Sequence, residues 1–262
     1  MTRLLYFLAF VFISFCSLIY FLKPLDSGSM HQFGDISAVV ASLYALFLMA
    51  YALTTFSEKD RQRPGWILLI IGIGLYFLGE ASWGYIELIR GIEVPFPSIA
   101  DLFWLTGYVP LFAGLILIYK RMEVKLARYE KAVFVVLGLL LALIPFWFLL
   151  FPIIKSGEAS VTEKLLDLAY PGLDIFLALP ALAIVLIYGR GLLGRTWLFI
   201  SLGFLLFTVA DLLFSYLTWI EKFKTGSLVD LLWLSGYVMI AVGAIGQIDL
   251  VRKARLIGAG AR

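Results

Sequence analysis

Two acidic residues lie deep in apolar sequence, where a carboxylate is costly. Glu80 and Asp211 each stand about ten residues, or roughly 15 Å of helix, from the outer end of a long apolar run. An acid at the centre of a bilayer costs about 2.5 to 3.5 kcal/mol on insertion scales. We therefore expect each acid to have a water-filled cavity, a proton or a partner. The alternative is a structural hydrogen bond to Tyr108, Tyr237 or a hydroxyl, worth ~0.6 to 2 kcal/mol.

A second set of polar residues repeats one spacing, with tryptophan three and tyrosine seven residues after an aspartate. The two copies are Asp101, Trp104 and Tyr108, then Asp230, Trp233 and Tyr237. This spacing places each trio on one face of a helix. Each trio is therefore a candidate binding face. The alternative is that the aspartates cap their helices, aided by Ser98 or Ser227, while the aromatic rings lie at the membrane interface.

The candidate binding residues extend toward the outer surface on the helix that carries Glu80. Trp83 and Glu87 share its face, which gives an acidic track with an aromatic wall. Further acids fall in the outer half of other apolar runs: Asp35, Asp167 and Asp174. We predict an outward-facing cavity. Its carboxylates and aromatic rings favour a cationic or amine-bearing ligand, through charge pairing and cation–π contact.

The composition indicates what positions these residues. The 262 residues are 62% hydrophobic, which is more than one soluble core would bury. Eight apolar runs are long enough to cross about 30 Å of hydrocarbon as helices, and they are too evenly apolar for barrel strands. We predict an all-α integral membrane protein with spans at 4–22, 36–56, 66–89, 99–119, 132–154, 165–189, 196–220 and 227–248.

The chain contains an internal duplication. Residues 98–116 recur 129 positions later as residues 227–245, with ten of nineteen positions identical. The upstream stretch from Trp66 aligns with that from Trp197 and places Glu80 opposite Asp211. Because four spans return the chain to the same side, we predict two parallel four-helix repeats, 1–131 and 132–262, related by an axis along the membrane normal.

The basic residues predict the orientation. Of 21 Lys and Arg residues, 15 lie in the terminal segments or in the loops on their side of the membrane. The positive-inside rule therefore predicts a multi-pass protein of the cell membrane with both termini cytoplasmic. This bias accounts for the net charge of +3, so the bilayer is an expected partner and nucleic acid is not.

Several chemistries are excluded. His31 is the single histidine and is predicted to lie in an outer loop, which argues against a His-based zinc hydrolase or a bis-His haem. Neither a phosphate-binding Gly-rich loop nor a Ser–His–Asp set is present. We therefore predict no catalytic residues, no metal ligands and no cofactor. Carboxylates alone can still bind Na⁺, Ca²⁺ or protons.

Residues 79–115 resemble the multi-pass membrane sensor region that precedes histidine kinase or diguanylate cyclase domains in archaea and bacteria. The resemblance rests on Glu80, Trp83, Pro97, Ser98, Asp101, Gly107 and Tyr108. It implies a sensory or ligand-responsive membrane module. Because no kinase or cyclase sequence follows span 8, we expect any output to pass through a signalling partner in trans.

Three functions agree with these residues. The first is a sensor or receptor-like module that binds a small molecule, lipid or cation. The second is a proton- or cation-coupled transporter, since paired midplane acids in a two-fold repeat suit alternating access. The third is an intramembrane enzyme whose carboxylates act on a lipid substrate. Turnover of such a substrate would be needed to support this function.

The predicted orientation has a direct test. The only native cysteine is Cys16, so a Cys16→Ser background allows single cysteines to be added at Glu58 or Glu93. A membrane-impermeant maleimide should label Glu93→Cys in intact cells and Glu58→Cys only after permeabilisation, because the two loops lie on opposite sides. The reverse pattern would contradict the assignment.

Overall fold

Eight helices long and apolar enough to span a membrane make up the computed structural model, which describes residues 1–122, 124–155, 161–188 and 194–260. Within this described part of the chain there are no strands. The helices are α1 (Thr2–Leu22), α2 (Ser27–Leu53), α3 (Arg63–Ile89), α4 (Ile99–Lys120), α5 (Arg128–Lys155), α6 (Val161–Tyr188), α7 (Arg195–Trp219) and α8 (Leu228–Gly260). The prediction of an all-helical protein with eight helices that can span a membrane is therefore confirmed.

Helix α2 differs from its prediction at the N-terminal end. It begins nine residues before the predicted start at residue 36, because Asp26 caps it by accepting a hydrogen bond from the Ser29 amide at 3.0 Å. The bond to this amide holds the pKa of Asp26 below its usual value. The prediction that His31 lies in a loop is therefore wrong, since His31 is on the second turn of α2.

Six of the helices form a closed ring. Going around it, α2 packs on α3, α3 on α4, α4 on α6, α6 on α7, α7 on α8, and α8 on α2. Helix α1 lies outside the ring against α8, and α5 lies outside against α6. Most side chains of α5 are exposed, as expected for a helix that faces lipid.

Aromatic side chains of α3 and α7 meet inside the ring. Trp66 contacts Trp197 with ring centroids 5.4 Å apart, and Tyr76 contacts Phe207 at 5.9 Å. These pairs lie on the residues that the sequence alignment of the two halves makes equivalent. The ring interior is therefore filled rather than open at these two levels.

Close packing of α3 on α4 depends on glycine. A Cβ atom on Gly72 would overlap the Leu111 side chain and lie 3.2 Å from the Gly107 carbonyl oxygen, whereas one on Gly74 would meet Leu46 at an ordinary 3.7 Å. Gly203 and Gly236 bring α7 and α8 together in the same way. Small residues at such interfaces allow helix backbones to approach closely in membranes.

Gly72→Ala should lower the melting temperature of the protein in detergent, by an amount equivalent to about 1 to 3 kcal/mol of overpacking. Gly74→Ala is the matched control on the same helix, and it should be neutral or slightly stabilising because alanine favours helix by up to ~1 kcal/mol. Equal effects of the two substitutions would contradict the packing described for α3 and α4.

Candidate functional site

Phenol groups bond interior carboxyl groups on other helices. The Tyr237 hydroxyl on α8 donates to Glu80 Oε1 on α3 at 2.8 Å. The Tyr108 hydroxyl on α4 donates to Asp174 Oδ1 on α6 at 2.6 Å. Tyr108, Tyr237 and Asp174 are buried, while Glu80 keeps part of its surface accessible. Each bond joins a helix of residues 1–131 to one of residues 132–262.

Asp211 belongs to the same interior group. Its Oδ1 accepts a hydrogen bond of 2.7 Å from the Trp233 indole on α8, and the Asp174 carboxyl group lies close to it. Trp233 and Tyr237 are one helical turn apart, so α8 holds both Asp211 and Glu80.

A row of aromatic rings packs beside these carboxyl groups. Tyr108 contacts Tyr76 at 5.8 Å, Tyr76 contacts Phe207 at 5.9 Å, and Phe207 contacts Tyr237 at 4.7 Å between centroids. The two phenols that bond the acids stand at the ends of this row. Because the rings are rigid and closely packed, they fix the positions of the hydroxyl groups.

Asp101 both caps its own helix and contacts another. Its Oδ2 accepts bonds from the Ser98 amide and hydroxyl at 2.6 and 2.9 Å, which forms the capping box of α4. Its Oδ1 accepts a bond of 2.7 Å from the Tyr170 hydroxyl on α6. The capping interpretation of Asp101 is therefore confirmed, and α4 and α6 are joined at a second level.

Asp230 has the corresponding place at the start of α8. Its Oδ2 accepts a 2.6 Å bond from the Gly226 amide, and the Tyr20 hydroxyl of α1 lies 3.5 Å away. Its Oδ1 is buried and has no hydrogen-bond partner. The loop before α8 also approaches α2, because Gly34 lies against the Asp230 carboxyl.

Glu87, Trp83 and Trp104 form a separate group near the end of α3. The Trp83 indole donates to Glu87 Oε2 at 2.9 Å, and the Trp83 and Trp104 rings are 5.7 Å apart. Glu87 lies in a π-helical turn, Tyr85–Ile89. His31 Nε2 contacts the same oxygen of Glu87 at 2.5 Å. Trp104 thus packs on α3, whereas Asp101 and Tyr108 contact α6.

The ten predicted binding residues therefore fall into four groups, which are held by hydrogen bonds and, for Trp104, by a ring contact. The interior group contains Glu80, Asp211, Trp233, Tyr237 and Tyr108, and the other three centre on Asp101, on Asp230 and on Glu87 with its two tryptophans. Tyr170 was not predicted, although it lies four residues before Asp174 and so on the same helical face. The side chain of Asp167 lies outside the described residues.

Among the side chains that the structure describes, the interior acids have no basic partner. The ion pairs there are those of His31 with Asp35 and Glu87 and of Lys253 with Asp249. The hydrogen bonds to Glu80, Asp174 and Asp211 come from the neutral donors Tyr237, Tyr108 and Trp233, respectively. A positively charged group would therefore meet no competing cation there.

Comparison with known proteins adds no assignment. No protein-family model matches the chain, and no curated protein or solved structure shows significant similarity to it.

The bond between Tyr237 and Glu80 should be measurable as a coupling free energy. In a double-mutant cycle of Tyr237→Phe and Glu80→Met, unfolding should show a coupling of about 0.6 to 2 kcal/mol, the range found for membrane hydrogen bonds. Tyr119→Phe is a suitable control for loss of a phenol, since Tyr119 has no described hydrogen bond to lose. Strictly additive effects of the first two substitutions would show that the bond contributes nothing.

Proposed function

We propose that the chain is a sensor- or receptor-like module of the cell membrane whose interior acids bind a cation or an amine-bearing small molecule. The observation that carries this proposal is the grouping of Glu80, Asp174 and Asp211 in one interior, with no Lys or Arg partner among the described side chains. Like charges at close range repel strongly in an apolar environment. A bound cation offsets that repulsion, so the interior is suited to one.

The unused hydrogen-bonding capacity of the acids supports the same ligand class. The buried Asp174 Oδ2 accepts no hydrogen bond, and Tyr237 engages only one oxygen of Glu80. An ammonium group has three donors and can satisfy several carboxyl oxygens together. The aromatic rings of Tyr76, Trp233 and Phe207 next to the acids offer cation–π contact.

We infer that the two predicted repeats pack around a common axis, which would give the proposal a mechanism. The contacts within the ring support this, because α2–α3, α3–α4 and α4–α6 correspond to α6–α7, α7–α8 and α8–α2. Residues related by a two-fold axis touch each other only near that axis, and the pairs Trp66–Trp197 and Tyr76–Phe207 are in contact. A ligand bound at the interior acids would contact helices of both halves, so its binding would change how the halves pack.

The sequence resemblance of residues 79–115 also supports a sensory role, with the output passing to a partner protein in trans. We further propose that the module lies in the cell membrane with both termini in the cytoplasm, in agreement with the distribution of Lys and Arg. The ligand would then enter from the outer side, where the acidic half of the bundle lies.

One contact favours a proton-coupled transporter as the second candidate. The Asp174 and Asp211 carboxyl groups are close neighbours inside the bundle, and carboxyl groups inside membrane helices form proton relays. A receptor binds without moving its ligand. Proton or substrate flux in proteoliposomes, lost in the variant described next, would therefore favour the transporter.

Addition of small primary or quaternary amines, or of monovalent cations, should raise the melting temperature of the purified protein. A ligand at one hundred times its Kd stabilises by about 2.7 kcal/mol, which corresponds to several degrees. The shift should disappear in the Glu80→Gln, Asp211→Asn double variant. The control is Glu58→Gln, Glu93→Gln, which removes the same charge from exposed loops.

Retention of the full ligand-dependent shift by the Glu80→Gln, Asp211→Asn variant would contradict the proposal. So would the absence of any shift in the wild type, together with an equal or higher melting temperature of the double variant. Those acids would then act only in helix packing.

A further inference from the structure

The structure brings the single histidine together with two acids at the outer ends of α2 and α3. His31 Nε2 is 2.5 Å from Glu87 Oε2 and 3.9 Å from Asp35 Oδ2. One ligand atom from each of the three residues lies within 4.8 Å of the others. His31 and Asp35 are spaced i, i+4 on α2, a spacing that places two side chains on one helix face and that zinc-binding helices use.

Hydrogen bonding alone leaves this cluster incomplete. A neutral imidazole Nε2 carries one hydrogen, so it can donate to Glu87 or to Asp35 but not to both. The Asp35 side chain is only 3% accessible, and its Oδ2 atom is buried without a hydrogen-bond partner. An unsatisfied buried carboxylate oxygen is expensive. It points toward the histidine, so a cation held between the three side chains would satisfy it.

We infer that His31, Asp35 and Glu87 form a binding site for one divalent transition-metal cation, of which Zn²⁺ is the representative. The site is separate from the interior acids and does not depend on the function proposed for them. Two carboxylates and one imidazole neutralise a dication, and a mixed nitrogen and oxygen set suits Zn²⁺ or Mn²⁺ better than Mg²⁺.

The required adjustments are about 1.4 Å at most, because the three ligand atoms already lie within 4.8 Å of one another. Ligand atoms bound at about 2.1 Å to a tetrahedral ion lie about 3.4 Å from one another. His31 and Asp35 would therefore approach by a few tenths of an ångström, and His31 and Glu87 would separate by less than about 1 Å. Three protein ligands leave the fourth position of the ion to water.

The surroundings are those of a metal site. The Trp83 indole donates to Glu87 Oε2 at 2.9 Å and so orients this ligand, as outer hydrogen bonds do in metalloproteins. The His31 side chain is 42% accessible, which gives an ion an approach from the aqueous side, whereas that of Glu87 is only 7% accessible. The ion would join α2 to α3 at the end of the ring.

Because His31 is the only histidine, its imidazole is a unique probe of the site. Full-length protein, purified with a histidine-free affinity tag and treated with a chelator, should bind one Zn²⁺ per chain. Binding should perturb the imidazole NMR signals and block diethyl pyrocarbonate modification of His31, while Mg²⁺ should do neither at the same concentration. These readouts need no variant.

Asp35→Asn should weaken Zn²⁺ affinity at least ten-fold, because it replaces a charged ligand by an amide of the same shape. Glu93→Gln removes an equal charge from the exposed loop after α3 and should leave the affinity unchanged. The Glu80→Gln, Asp211→Asn variant should also bind Zn²⁺ normally, which separates this site from the interior one. An unperturbed His31 at saturating Zn²⁺, or equal affinity of Asp35→Asn and wild type, would overturn the inference.

Discussion

Carboxyl groups inside a membrane bundle need hydrogen-bond donors, and this need determines how the helices of the ring meet. Tyr237, Tyr108 and Trp233 donate hydrogen bonds to Glu80, Asp174 and Asp211, respectively, and all three donors are neutral. In a soluble protein, water or a lysine would supply the same donors. Here the donors come from neighbouring helices, so the acids tie α3 to α8 and α4 to α6. Loss of one partner would leave a buried polar group unsatisfied.

The bonds at the centre of the ring depend on close packing elsewhere. Glycines at the α3–α4 and α7–α8 contacts let the backbones approach, and so position Tyr108 and Tyr237 within reach of acids on other helices. The row of rings from Tyr108 to Tyr237 then fixes the hydroxyl groups. The same geometry that stabilises the bundle therefore places three carboxyl groups close together. This clustering is the basis of the proposed cation binding.

The sequence predicts the number and approximate position of the helices, because a span needs about 20 apolar residues and few other patterns have that length. It does not predict which helices meet. In a bundle where every helix face is apolar, periodicity no longer separates buried from exposed faces. The sequence offers Tyr237 as one of several partners for Glu80, but it does not indicate that Tyr108 bonds Asp174 on α6.

The start of α2 shows a second limit. From hydropathy, α2 is predicted to start where the apolar run starts. In the structure the helix starts earlier, after the Asp26 cap, and so includes two more polar turns. Those turns carry His31, which the sequence alone assigned to a loop. The i, i+4 relation of His31 and Asp35 exists only once the helix includes them, and their approach to Glu87 depends on tertiary packing.

The most direct measurement of the central claim is infrared difference spectroscopy of the protein in lipid, with and without a small amine, for the wild type and for Glu80→Gln, Asp211→Asn. If the interior acids bind the cation, the carboxyl and carboxylate bands of the wild type will change on addition of the amine, and the double variant will lose those changes. Identical spectra of the wild type with and without amine, at concentrations up to the solubility limit, would contradict the account.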